Sequence, residues 1–330
     1  MIPPTALESR FGARERMRQR DPRPDPGPRL ESVYRPARPL DLYATVAVFQ
    51  RGPGDPAQAW SAGVIWRAVR TPEGIASLAL RQVADGSVRA AAWGPGRHWA
   101  VAQVPALCGA DDDDSDFDPS LHPLIADAHH RHPGLRLGRG DLIFDALVQS
   151  ITEQKVTVLQ AFSAWRRLVT WFGERVPGPT PQPMFAPPSI DGWRAIPSWA
   201  WHRAGLEPPQ SRTIVGAARR GDSLVRAVEA CAPDRRDAIL TSLPGIGPWT
   251  AAETRIRALG DPDAVSVGDF HLAHHVGYAL TGTRVEDDGM LELLAPWSGQ
   301  RQRVIRYIFA SGVKEPRRAP RLHPEDHRAR

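Results

Sequence analysis

The chain of 330 residues is long enough for about two domains, and its apolar fraction of 42% is sufficient for a buried core. A net charge of +5 and an isoelectric point near 9.7 favour a polyanionic partner. Two cysteines, Cys108 and Cys231, are too few for a four-cysteine iron–sulfur or zinc site, and no apolar run suits a secretory leader or a membrane span. We therefore expect a cytoplasmic protein.

Both ends of the chain are rich in arginine and proline. Residues 1–30 contain RDPRPDPGPR, and residues 315–330 read EPRRAPRLHPEDHRAR. Because such segments can bury little apolar surface, both are predicted to be disordered.

Residues 31–110 have the pattern of a small β-rich domain. Runs rich in β-branched and aromatic residues are predicted strands: DLYATVAVFQ, WSAGVIWRAV, IASLALRQV, VRAAAW and HWAVAQV. The turn signals RGPGDP, TPEG, ADGS and GPGR separate them, which indicates an antiparallel sheet. The acidic run that follows is predicted to be a linker over residues 111–120, because it lacks the glycine and the distant glutamate of a calcium loop.

From residue 121 to residue 314 the apolar residues recur at helical spacing. Two helices are expected on either side of a bend at EQK, residues 153–155, and a proline-rich loop follows them. Further helices are predicted near 210–220, 222–231, 235–242, 248–259, 270–280, 287–294 and 299–311. The predicted fold class is therefore α+β, with an antiparallel β domain followed by an all-α domain.

The most informative stretch is LTSLPGIGPWTAAETRIRALG, residues 240–260. Pro248 suits the first position of a helix, and Gly245 and Gly247 permit a tight turn before it. Such a turn directs backbone N–H groups outwards at a helix N-terminus, where they can bind a phosphate. An ordinary connection between two helices carries the same residues, so the pattern alone leaves both interpretations open.

The segment LPGIGPWTA closely resembles the hairpin of the helix-hairpin-helix DNA glycosylase superfamily. In that superfamily an aspartate follows about twenty positions after the hairpin, and Asp269 follows Trp249 at that spacing. Residues 133–157 and 294–309 are similar to the opening and closing helices of alkylbase glycosylases. The strand-rich region is similar to the small β domain of the 3-methyladenine DNA glycosylase II subgroup.

This resemblance implies a monofunctional DNA glycosylase of base-excision repair that flips alkylated purines of the 3-methyladenine type and hydrolyses their N-glycosidic bonds. Asp269 would be the catalytic carboxylate that stabilises an oxocarbenium-like state. A cationic base leaves with little help from a general acid, so one carboxylate suffices where ordinary glycosidases use two. Asp269 also directly precedes the predicted helix 270–280, so a capping role is the structural alternative.

The resemblance also implies which residues contact the DNA. The hairpin residues expected to bind the DNA backbone are Leu243, Gly245, Ile246, Gly247, Trp249 and Thr250. The base pocket is expected to contain Trp249, Phe270 and Glu253, and the wedge or DNA contact is expected at Gln154 and Lys155. Relatives with lyase activity carry a lysine at the position of Trp249, so lyase activity is not expected here.

Three positions depart from the family pattern. Glu253 replaces a pocket tyrosine, Lys155 occupies the place of an apolar wedge, and Arg306 and Tyr307 lie near the place of a stacking tryptophan. These differences could alter the preferred base.

The resemblance implies a monovalent cation held by the backbone carbonyls of Thr241, Leu243 and Ile246, with no other cofactor. The histidines of HHRH, residues 129–132, and the pair His274–His275 lack partners at zinc spacing.

The expected partner is double-stranded DNA with a damaged base, bound by a monomer in the nucleoid region of the cytoplasm. A non-catalytic or weakly catalytic DNA-binding module and a glycosylase for another damaged base remain the alternatives.

Overall fold

The computed structural model describes residues 27–315. The predictions of disorder for residues 1–26 and 316–330 lie outside the described residues. Within the predicted N-terminal segment, Leu30 is already part of a strand.

The first part of the fold is a five-stranded antiparallel sheet, which confirms the predicted fold class. Its strands are β1 (Leu30–Tyr34), β2 (Gln58–Ser61), β3 (Val64–Thr71), β4 (Gly74–Gln82) and β5 (Val88–Trp93). They pair in the order β1-β5-β4-β3-β2, with Leu78 of β4 between Arg67 and Ala92. Leu78, Leu80 and Val88 lie in the buried core of this sheet.

Two of the predicted strands are helices, so those predictions were wrong. DLYATVAVFQ forms helix α1 (Leu42–Val46) and a following 3-10 turn, and HWAVAQV lies mainly in helix α2 (Arg97–Ala102). The side chain of Asp41 caps α1 by accepting from the amide of Ala44 at 2.9 Å. Leu42, Val46 and Phe49 of the first run recur at helical spacing and all enter the sheet core.

The helical part begins with short helices and contains the predicted bend. Its helices are α3 (Val104–Leu107), α4 (Pro123–Arg131), α5 (Ile143–Thr152), α6 (Val158–Phe172), α7 (Ile190–Ala195), α8 (Ser198–Ala204), α9 (Pro208–Ala218), α10 (Gly221–Ala230), α11 (Arg236–Thr241), α12 (Pro248–Leu259), α13 (Leu272–Thr281), α14 (Asp287–Leu294) and α15 (Arg301–Ser311). The seven helices predicted after the proline-rich loop are all present with ends within two residues. The sequence did not predict α7, α8 or the short pair β6 (Glu174–Arg175) and β7 (Phe185–Ala186).

Two separate apolar cores hold these helices together. One core includes Leu147, Trp165 and Trp193 and extends from α5 to α12. The other includes Met290 and Val304 and joins α4 with α13, α14 and α15. The loop between α12 and α13 crosses from the first core to the second, and it carries Asp269.

The acidic run lies between α3 and α4, and arginines hold its first half in place. The buried carboxylate of Asp112 accepts from Arg303 Nη1 at 3.0 Å, and Asp114 is paired with Arg38 and Arg136. These arginines come from both sides of the run, so the segment is an integral part of the packing. The division of the chain into domains at these boundaries stays a prediction.

None of the helices within residues 27–315 has the length and the apolar character needed to cross a lipid bilayer.

Candidate active site

The hairpin between α11 and α12 has the tight geometry that the glycines allow. Gly245 has a φ of +85°, and a Cβ there would lie 2.1 Å from Thr213 Oγ1, so both conformation and space require glycine. The amide of Ile246 donates to the carbonyl of Leu243 at 3.1 Å, and both side chains are buried. The side chains of Leu243 and Ile246 therefore hold the turn, which leaves its backbone for contact with a ligand.

Gly247 differs from Gly245. Its backbone is extended, with φ −97° and ψ 179°, and a Cβ there would meet nothing within 4 Å. It immediately precedes Pro248, the first residue of α12, so the open space lies at a helix N-terminus. This is the surface at which the sequence predicts a DNA phosphate.

Gln154 joins the bend after α5 to the hairpin. Its Nε2 donates to the carbonyl of Gly245 at 2.9 Å and to Thr250 Oγ1 at 2.8 Å, and its own carbonyl accepts from Gln210 Nε2 at 2.8 Å. The side chain of Thr250 is buried in this contact. The next residue, Lys155, is exposed and has a φ of +52°, which is uncommon outside glycine and asparagine. Gln154 thus supports the hairpin from inside, and Lys155 is the residue of the pair that solvent reaches.

Asp269 lies directly beside the hairpin helix. Its Oδ2 accepts from the indole Nε1 of Trp249 at 3.0 Å, which joins the two positions that the sequence spacing singled out. Its Oδ1 accepts from the amides of His271 and Leu272 at 2.9 and 3.0 Å, at the start of α13. Asp269 therefore also fixes the turn that leads into α13, although the N-cap position of that helix is His271.

The other two predicted pocket residues have different surroundings. Phe270 is 76% exposed, and its ring meets that of His271 edge-on at 4.8 Å. Glu253 accepts from the hydroxyl of Ser266 and forms an ion pair with Arg257 at 2.8 Å. The structure therefore places the exposed ring of Phe270 next to Asp269 and the charged side chain of Glu253 beside Ser266.

Sequence reasoning missed a buried charge network that extends from Glu253 into the protein. Arg257 also pairs with Glu153 at 2.9 Å and donates to Ser150 Oγ at 2.9 Å, and Arg51 pairs with Glu153 at 2.7 Å. Burial alone would raise the pKa of Glu153, but the guanidinium groups of Arg257 and Arg51 hold this pKa below its usual value. The spacing of Glu253 and Arg257 on one helix face could have indicated the pair, whereas no local pattern links Arg51 to Glu153.

Arg306 and Tyr307 on α15 contact other parts of the molecule. Arg306 donates to the carbonyl of Ala44 at 2.9 Å, and the buried ring of Tyr307 stacks on Phe117 at 5.6 Å. Their contacts are with α1 and the acidic segment, so the closing helix uses these two positions for packing.

Metal binding by side chains finds no support in residues 27–315, where no three His, Cys, Asp or Glu residues form a group that could hold an ion. A monovalent cation at the carbonyls of Thr241, Leu243 and Ile246 stays a prediction. The Leu243 carbonyl already accepts one hydrogen bond, which leaves its second lone pair for an ion.

The chain is similar in sequence and in fold to known DNA repair proteins. No family model matches the chain. Over 155 residues the chain is 30% identical to a protein of Mycobacterium tuberculosis described as a probable bifunctional transcriptional activator/DNA repair enzyme AlkA. That match covers 47% of this chain but only 30% of the relative.

The fold is similar to that of the 3-methyladenine DNA-glycosylase from Archaeoglobus fulgidus, with a TM-score of 0.72 over 84% of this chain and 97% of that one, at 16% identity. The chain therefore has the fold of this DNA glycosylase, and about half of its length is similar in sequence to the AlkA protein. Another structure with this fold is the 8-oxoguanine glycosylase/lyase of Clostridium acetobutylicum, with a TM-score of 0.67 over 85% of this chain and 96% of that one, at 11% identity. Proteins named for different substrates share this fold, so the similarity of fold does not identify a substrate.

Proposed function

We propose that this protein is a monofunctional DNA glycosylase that hydrolyses the N-glycosidic bond of alkylated purines in duplex DNA. The observation that supports this most is the contact between Trp249 and Asp269 at 3.0 Å, next to a hairpin whose backbone faces outwards. This arrangement puts a carboxylate and an aromatic ring beside a surface suited to a DNA phosphate.

The carboxylate of Asp269 is held by neutral donors, an indole N–H and two backbone amides. These donors fix its orientation without cancelling its charge. An ionised carboxylate beside C1′ stabilises the positive charge that develops on the sugar as the bond to the base breaks. It also accepts a proton from the water that adds to C1′, while the base leaves with the bonding electron pair.

Trp249 supplies the second element of the proposed mechanism. An alkylated purine such as 3-methyladenine carries a positive charge in DNA, and a tryptophan face attracts such a cation by about 1–2 kcal/mol when water is excluded. The departing base becomes neutral as it takes up the electron pair, so it needs little protonation. The positive charge on the base therefore accounts for both features of the proposal. The tryptophan selects such bases, and one carboxylate is enough for catalysis.

The DNA backbone would be held by the amides of the turn and by exposed Lys155 beside Gln154. Contacts with phosphates offset the few kcal/mol that extrusion of a base from the stack costs. We propose that a monomer binds in this way to damaged double-stranded DNA.

The experiment that tests the function is excision from duplexes that contain 3-methyladenine, 7-methylguanine, hypoxanthine or ethenoadenine. Asp269→Asn is expected to lower the single-turnover rate by roughly 10²- to 10³-fold, because it removes the negative charge. Binding to an abasic duplex and thermal stability should remain close to wild type, since an asparagine oxygen can still accept from the amides of His271 and Leu272.

Asp269→Ala is the matched variant, because it removes the hydrogen bonds to the two backbone amides as well as the charge. It should lower the free energy of unfolding by about 1 kcal/mol relative to Asp269→Asn at the same loss of rate. If Asp269→Asn releases bases at the wild-type rate, the proposed role of Asp269 is wrong.

One observation favours a second candidate, a non-catalytic DNA-binding module. Both oxygens of Asp269 already have partners within the protein. If wild type binds the lesion duplexes but releases no base from any of them, the module is the better description.

The absence of lyase activity is part of the proposal, because position 249 is a tryptophan. The chain has two lysines, Lys155 and Lys314, and Lys155 adjoins the residue that supports the hairpin. Borohydride should therefore trap no covalent adduct with an abasic duplex. A trapped adduct that disappears in Lys155→Ala would instead identify a lyase.

A further inference from the structure

Glu253 lies one helical turn after Trp249, on the same face of α12. Two hydrogen bonds join this face of α12 to the loop that leads to α13. Trp249 donates to Asp269, and one turn further along, Ser266 donates to Glu253. A base that stacks on the indole of Trp249 would therefore have the carboxylate of Glu253 near its edge.

The carboxylate of Glu253 is the outermost member of the buried charge network. Its side chain is 19% exposed, whereas the side chain of its partner Arg257 is 7% exposed. Arg257 is fixed in turn by Glu153 and Ser150. The Glu253 carboxylate is thus partly open to solvent, and it cannot turn without breaking an ion pair.

The chemistry of a carboxylate limits which base edge can face it. An ionised carboxylate only accepts hydrogen bonds. An exocyclic amino group donates to it, whereas a carbonyl at the same place meets it acceptor to acceptor and leaves both groups unpaired. The two edges differ at C6 of the purine ring, where adenine derivatives carry an amino group and guanine and hypoxanthine carry a carbonyl.

We propose that Glu253 is the specificity-determining residue of this site, accepting a hydrogen bond from the 6-amino group of a methylated adenine and disfavouring purines with a 6-carbonyl. This inference rests on the function proposed above and narrows its substrate class. Ser266 is the positioning residue, because its hydroxyl orients the Glu253 carboxylate without touching the base.

The test measures both kinds of base in one reaction. Duplex DNA treated with dimethyl sulfate contains 3-methyladenine and 7-methylguanine, and chromatography separates the released bases. The quantity compared is the ratio of their release rates. Glu253→Gln offers an amide that can also donate to a carbonyl, so this ratio should fall about tenfold or more relative to wild type.

Two further variants keep the test decisive if Glu253→Gln is unstable. Ser266→Ala leaves the ion pair with Arg257 in place and should lower the ratio two- to threefold in the same direction. Glu229→Gln replaces an exposed glutamate on α10 and should leave the ratio unchanged. Melting temperatures of all variants identify any general loss of folding.

The outcomes separate this inference from the function that it rests on. A wild-type enzyme that releases both bases, with an unchanged ratio in Glu253→Gln or in Ser266→Ala, overturns the role of Glu253 alone. A wild-type protein that releases neither base overturns the proposed function and this inference with it.

Discussion

Asp269 and Asp145 show how the surroundings of a carboxyl group change its properties. Asp269 is held by an indole and by two backbone amides beside the hairpin. Asp145 is on α5 and lines a recess between this helix and the sheet, opposite Arg67. Burial raises the pKa of Asp145 to about 7, although the positive charges of Arg70 and Arg67 act in the opposite direction.

This raised pKa predicts a pH-dependent contribution to stability. In the unfolded chain an aspartate has a pKa near 3.9, so between about pH 4 and pH 7 the folded protein binds one proton more than the unfolded chain. The contribution of Asp145 to the free energy of unfolding therefore falls as the pH rises through this window. The slope cannot exceed about 1.4 kcal/mol per pH unit, because a single carboxyl group binds one proton.

Asp145→Asn removes this titration, so its stability relative to wild type should increase from pH 5 to pH 7 and level off above that. Urea unfolding at several pH values measures the difference. Asp191→Asn, which replaces an exposed carboxylate on α7, is the control and should show little such trend. A constant difference between Asp145→Asn and wild type would show that Asp145 is already ionised at pH 5.

At the scale of single elements, the hairpin provides a matched pair of glycines. Gly245→Ala should destabilise the protein by about 1–3 kcal/mol, because the residue has a positive φ and its Cβ would collide with Thr213. Gly247→Ala has an allowed backbone and open space, so its stability should change by less than about 1 kcal/mol.

In Gly247→Ala, unlike stability, the affinity for DNA should change. The methyl group of Gly247→Ala occupies the surface at which we expect a phosphate, so affinity for an abasic duplex should fall although the fold is intact. Fluorescence anisotropy titration at fixed salt measures this affinity. Wild-type affinity in Gly247→Ala would mean that the backbone at this turn does not approach the DNA closely.

The elements were predictable where the local pattern and the tertiary packing agree. The helix α12 lies at residues 248–259 as predicted, and in the structure Pro248 begins it and Gly260, with a φ of +60°, ends it. The run at residues 41–50 was wrongly predicted to be a strand because it is rich in β-branched residues. Its apolar positions follow helical spacing, and they pack against the sheet. Local propensity is a weak guide when a short helix is stabilised mainly by the surface it packs on.

The candidate site was predictable to the extent that it is local. Asp269 and Trp249 were named because their separation matches the pattern of the family that the hairpin resembles, and the structure brings them into contact. The network of Arg51, Glu153 and Arg257 was not predicted, since Arg51 and Glu153 are separated by 102 positions. Ion pairs between distant segments leave no periodic pattern in a sequence, so only the fold can show them.

At the scale of the whole molecule, the pair Asp112–Arg303 joins the acidic segment to the last helix. Both side chains are 1% exposed. Arg303→Met keeps the apolar stem but leaves the Asp112 charge buried without its partner, so we expect a loss of about 3–5 kcal/mol in the free energy of unfolding. Arg194→Met breaks an exposed pair with Asp191 on α7 and should cost less than about 1 kcal/mol.

Unfolding of both variants in guanidinium chloride measures the two losses in the free energy of unfolding. Because this denaturant is a salt and screens exposed ion pairs, unfolding in urea is the second measurement. Equal and small losses in both variants would mean that water reaches Asp112 and that the segment is only loosely attached.

The attachment of the acidic segment has a practical consequence for dissecting the molecule. Composition suggests that a cut near residue 120 would release a β half and a helical half. Such a cut leaves Asp112 on the first fragment and Arg303 on the second, so each fragment would lose the surface that buries this ion pair. We expect neither fragment to fold independently when expressed alone, and co-expression of the two to restore a single complex.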